Sequence, residues 1–145
     1  MLIIAILAGV LLHTYRADAI ASATDRQLQL KAEYLYRTLE ISQVENFSLG
    51  YLRAIAENLV GIETVVPGDI LHREVGRVLD YLRPLNTTVV LTLSHGDTFW
   101  IQTSPENGGY GKQMFIFSGK ISIVVAEAGE NRIVQVPATL TLFER

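Results

Sequence analysis

The sequence predicts an α+β fold: a long N-terminal helix, apolar in its first half and amphipathic in its second, packed with two shorter helices on a C-terminal four-stranded antiparallel sheet. Three observations carry that prediction. From Met1 to Ser42 there is no proline, and Gly9 is the only glycine. Apolar residues then recur at helical spacing as far as Leu82. After Pro84 the pattern turns to strict alternation, broken by glycine-containing turns.

The elements follow in order. Met1 to Leu12 is apolar on every side, and Met1 to Tyr15 contains no Asp, Glu, Lys or Arg. Further on, Leu28, Ala32, Leu35 and Leu39 recur on one helical face, as do Leu30 and Tyr34, while Asp25, Arg26, Lys31, Glu33, Arg37 and Glu40 fill the other positions. The expectation is one unbroken helix of about 40 residues, roughly 60 Å long. Leu49, Leu52, Ala56 and Leu59 mark a second helix stopped by Gly61. Asp69, after Pro67-Gly68, is the expected N-cap of a third, with Leu71, Val75, Val78, Leu79 and Leu82 inward and Pro84 closing it.

Thr88–Leu93 and Thr98–Thr103 read as a hairpin across Ser94-His95-Gly96-Asp97. Ser104–Gln113 is a glycine-rich loop. Met114–Ala126 is a strand bent near Gly119, and Arg132–Phe143 is the last, with Pro137 indicating an edge or a bulge. Two regions result: residues 1–26 as an apolar filament-core or membrane-anchor helix, and residues 27–145 as a head that includes the lower part of the first helix.

Composition narrows the function. Hydrophobic residues are 49% of the 145 and charged residues 19%, with the apolar excess concentrated at the start. A net charge of -3 supplies no basic face for nucleic acid. The absence of cysteine removes disulfides, thiolate metal sites and cysteine nucleophiles. His13, His72 and His95 fall in three separate elements, without metal-ligand spacing. His95 beside Asp97 has no nucleophile tied to it by a motif. Glu74 and Asp80 read as a solvated helix face. Gly108-Gly109-Tyr110-Gly111-Lys112 lacks the phosphate-loop pattern and the helix that should follow it. Phe99 and Trp100, adjacent in a strand, must point to opposite faces. No catalytic, metal or cofactor constellation emerges, so the expected protein is not an enzyme.

The first twelve residues span roughly 18 Å as a helix, short of the roughly 30 Å bilayer core. They match a signal-peptide core in length but lack its basic flank, and Ala17-Asp18-Ala19 imitates a cleavage site. With Met1 opening the numbering, the segment is expected to be kept. An apolar start leading into an amphipathic helix and then strands resembles the type IV pilin-like proteins, archaeal ones in particular. Ala5 stands where many bacterial pilins carry a glutamate. The resemblance implies that the chain is a homo-oligomeric filament subunit, buried against its copies through Leu2, Ile3, Ile4, Ile6, Leu7, Val10, Leu11 and Leu12, and held in the membrane before assembly. The alternatives are a bitopic accessory or minor pilin-like component of a secretion or pilus machine, and a signal-anchored extracellular binding domain. Asn46-Phe47-Ser48 and Asn86-Thr87-Thr88 are sequons, which makes Asn46 and Asn86 candidate sites of N-linked glycans on an extracellular surface.

Overall fold

The computed structural model describes residues 25–45, 47–62 and 66–145. The described residues form three helices and one antiparallel sheet: α1 at 25–41, α2 at Tyr51–Val60, α3 at Gly68–Leu82, then β1 Thr87–His95, β2 Thr98–Ser104, β3 Gln113–Glu127 and β4 Glu130–Glu144. Strand order is β2-β1-β4-β3, so the last strand in sequence lies inside the sheet.

The α+β class, the two shorter helices and the four-stranded sheet agree with the sequence reading. The single long helix does not. The longest described helix is α1, with 17 residues, and the apolar run that was expected to form its first half lies outside the described residues. Absence of proline and glycine permits a helix but does not extend one. Helix in a globular chain is sustained chiefly by packing of an apolar face, and in α1 that face starts at Leu28. Leu28, Ala32, Leu35 and Leu39 are buried, at 9% exposure or less. Leu30, Tyr34 and Ile41 form a second stripe that stays exposed.

Gly61 ends α2 as its position suggests. It adopts φ +84°, and the Gly61 and Ile62 amides bond back to the Asn58 and Glu57 carbonyls. The start of α3 differs from expectation. The helix begins at Gly68 behind Pro67, and Asp69 makes no side-chain cap but sits in the first turn, where its charge favours the helix dipole.

All three helices cover one face of the sheet. Leu91 and Leu93 of β1, Trp100 of β2, Ile123 of β3 and Val136, Ala138, Leu140 and Leu142 of β4 point into the core beside Leu35, Leu52, Ile55, Leu71 and Leu79. The hairpin turn narrows to Gly96-Asp97, since His95 pairs with Thr98, and Gly96 takes φ +58°. β3 and β4 outrun β1: they pair from Gln113↔Phe143 to Glu127↔Glu130, whereas β1 meets β4 only from Thr87↔Glu144 to Leu93↔Ala138. The remainder is a two-stranded ribbon. Pro137 is the first β4 residue past the β1 pairing, so its missing amide hydrogen deprives no ladder. Gly119 passes against Tyr36 of α1, with the Tyr36 ring 4.8 Å from Phe117.

Candidate functional site

A cleft of the head runs between α3 and β2. Gly76 allows the close approach, because a β-carbon there would sit 3.1 Å from the Gln102 side-chain nitrogen. His72, one turn earlier, stacks on Trp100 with ring centroids 4.5 Å apart and planes 12° from parallel. Its Nδ1 lies 2.8 Å from the Gln102 Oε1; the carbonyl can only accept, so Nδ1 carries the proton. The Trp100 Nε1 is buried and has no hydrogen-bond partner among the described residues. At the other end, Asp80 accepts from Arg83 Nε at 2.9 Å and from the Ser104 hydroxyl at 3.3 Å. The Arg83 hydrogen bond, its charge and the Ser104 bond together outweigh the slight desolvation and hold the Asp80 carboxyl below its ordinary value. Between these ends lies a groove of about 650 Å³, into which Arg73 and Arg77 project from α3 and Glu106 from the loop after β2. Neither arginine forms an ion pair among the described residues.

A second feature lies across α1 and α3. Leu30, Tyr34 and Ile41 are 57%, 64% and 78% exposed, and Tyr81 and Leu85 are 88% and 91% exposed. Tyr34 shares an open groove with Tyr81 and Leu82, and a neighbouring one with Leu30 and Leu85. Leu30, Tyr34, Tyr81 and Leu85 thus form an exposed apolar patch along these two grooves.

The structure corrects one reading of a polar residue. Glu74 does not face solvent. It is 8% exposed and its Oε2 accepts the Glu45 amide at 3.3 Å. Burial raises the Tyr51 phenol above its ordinary value, and the charge of Glu74, its hydrogen bond with Tyr51 and the charge of Glu45 add to the rise. Asp80 is exposed but paired. The spacing of α3 puts Glu74 on the same side as Leu71 and Val75, a signal that its charge obscured.

The glycine-rich loop is a structural tie. Gly111 donates to the Glu144 carbonyl and Glu144 to that of Lys112, each at 2.8 Å. His95 and Asp97 lie at the β1–β2 turn, away from His72, and His13 lies outside the described residues. Among the described residues no group of His, Asp or Glu is placed to hold a metal ion. Phe99 is exposed and Trp100 buried, as adjacent strand positions require.

Of the residues singled out for assembly, Leu2, Ile3, Ile4, Ile6, Leu7, Val10, Leu11 and Leu12 lie outside the described residues, as does the sequon residue Asn46. Asn86 is exposed, with φ +58°. The sequon hydroxyl of Thr88 is buried and donates to the Gly109 carbonyl at 2.8 Å. No described helix is long and apolar enough to cross a membrane. No protein-family model, curated protein or solved structure matches the chain.

Proposed function

We propose that the chain is a structural, non-enzymatic subunit of an extracellular pilus-like filament, held in the membrane by its apolar N-terminal segment and assembled by burial of that segment against other copies. The observation that carries this reading is an apolar run in the sequence followed by an exposed apolar patch on the head. A charge-free run from Met1 to Tyr15 precedes α1 in the sequence, and α1 buries one stripe while keeping Leu30 and Tyr34 uncovered beside Tyr81 and Leu85. A subunit packed against its neighbours near the entry of the head would keep such a patch. The exposed sequon residue Asn86 fits an outer surface on the same reading, and the sequon residue Asn46 lies outside the described residues.

The test is assembly in the native host. Leu7→Asp places a charge where burial would leave it unpaired, and Tyr34→Lys with Tyr81→Lys converts the exposed patch. Both variants are expected to abolish filaments in negative-stain micrographs of sheared cell-surface material, while the head keeps its circular dichroism. Normal filaments from Leu7→Asp would overturn the reading. Membrane retention without filaments in the wild type would favour the accessory-component alternative.

A further inference from the structure

We propose that the open edge of β2 is a docking site for an extended, acidic peptide strand of another protein, which adds to the sheet beside β2 and seats alternate side chains between β2 and α3. Among the described residues β2 ends the sheet and pairs with β1 alone. Its residues, Thr98 to Ser104, include no charge and no proline, and its register with β1 is unbroken over all seven pairs. Edge strands that stay unpaired in proteins are blunted by lysine, proline or a bulge. The opposite edge, β3, has both Lys120 and a register shift between Gln113 and Phe115. β2 has none of these devices.

The two-residue hairpin sets which backbone groups are free. His95 and Thr98 flank the turn as a hydrogen-bonded pair, so Thr98, Trp100, Gln102 and Ser104 bond to β1, and the N–H and C=O groups of Phe99, Ile101 and Thr103 point outward. A row of such groups is complemented by another extended backbone. Among the described residues the Thr103 carbonyl accepts from the Gln102 side-chain amide at a long 3.4 Å, a contact that an incoming amide can replace.

The groove beside this edge supplies the choice of partner. It is lined by Gln102, whose side chain points to the core face, and by Thr103, whose side chain points to the open face, so it follows the edge of the strand itself. Arg73 and Arg77, one helical turn apart, face it without ion-pair partners among the described residues. Asp80 is already neutralised by Arg83, which leaves Glu106 as the opposing charge. Two cations against one anion favour acidic side chains on the added strand. They also disfavour a second copy paired through β2, since the two-fold axis would bring the arginines of both copies to the same seam.

The proposal stands independently of filament assembly and is tested on the full-length chain in mild detergent. The probe is a fluorescein-labelled peptide of alternating valine and glutamate, seven residues long, followed by anisotropy. Its valine–lysine counterpart and a valine–glutamate version methylated on every backbone nitrogen serve as comparisons. Saturable binding of the first is expected, with the lysine peptide and the methylated peptide each at least about tenfold weaker. Arg73→Glu with Arg77→Glu, checked for folding by circular dichroism, should reverse the charge preference. Equal binding of the methylated peptide would mean attraction by charge without strand addition and would overturn the proposal. So would equal binding of the lysine peptide, no saturable binding at all, or self-association of the chain that competes with the probe.

Discussion

Two buried phenols set how the head answers to alkaline pH, and the buried Glu74 sets how it answers to substitution. Burial, reinforced by Glu40, raises Tyr36 above its ordinary value, and Tyr51 is raised by burial and by Glu74 and Glu45. A group whose proton is held more tightly in the folded state contributes stability that is complete below its unfolded value, near 10 for tyrosine. That contribution is lost as pH rises through the higher folded value. Stability to urea should therefore fall above about pH 10, and Tyr51→Phe should flatten that decline. The Glu74→Ala variant leaves the Glu45 amide and the Tyr51 hydroxyl without their acceptor, and a loss of about 1–3 kcal/mol is expected in urea titrations at neutral pH. At Asn86 the relevant fact is the buried hydroxyl of Thr88, which is committed to Gly109 in the closed sheet. An oligosaccharyltransferase should thus modify a peptide carrying Asn86-Thr87-Thr88 but not the folded head, as mass spectrometry would show.

At the scale of elements, the β3–β4 ribbon turns on Ala128 and Gly129, at φ +52° and +82°. This is the two-residue turn that favours Asn-Gly, and alanine in the left-handed region costs about 1–2 kcal/mol. Ala128→Asn should therefore raise the thermal midpoint, with no change in the near-ultraviolet spectrum. Gly119→Ala should act the other way, because its new methyl would strike the Tyr36 ring where α1 crosses the ribbon, and about 1–3 kcal/mol of destabilisation is expected in urea. Most elements could be read from pattern. Alternation located β1 to β4, Gly61 located the end of α2, and the adjacency of Phe99 and Trp100 gave their opposite faces. Three things could not be read this way. The extent of α1 depends on what its apolar face packs against, and a run apolar on all sides names no face. Glu74 is inward because Tyr51 and the Glu45 amide meet it across separate segments. The groove exists only because α3 and β2, whose nearest ends Leu82 and Thr98 are 16 positions apart in the chain, lie side by side, with Gly76 admitting Gln102.

For the whole molecule, α1 matters more than its length suggests, because it closes the sheet face that α2 and α3 leave beside the ribbon. Removing Met1 to Ala23 retains its buried stripe and should give a folded, soluble head. Removing residues through Ser42 strips away Leu28, Ala32, Leu35, Tyr36 and Leu39, all buried, and should expose the ribbon side of the core. Size-exclusion chromatography and circular dichroism on the two truncations check this: a monomer with native helix and strand signal for the first, and aggregation for the second. Equal behaviour of the two would mean that the Leu28–Leu39 stripe does not hold the sheet.

The place of β4 has a further consequence, in time rather than in space. Among the described strands β4 is the last to leave the ribosome, yet β1 and β3 are joined through it. A nascent chain can form its helices and its first hairpin early, but the described sheet has no centre until β4 has emerged. A chain broken off before Glu130 would lose the pairing partners of Thr87–Leu93 and leave the core open. Emergence of β4 is thereby the step that closes the core, and chains halted before it would be left open to proteolysis.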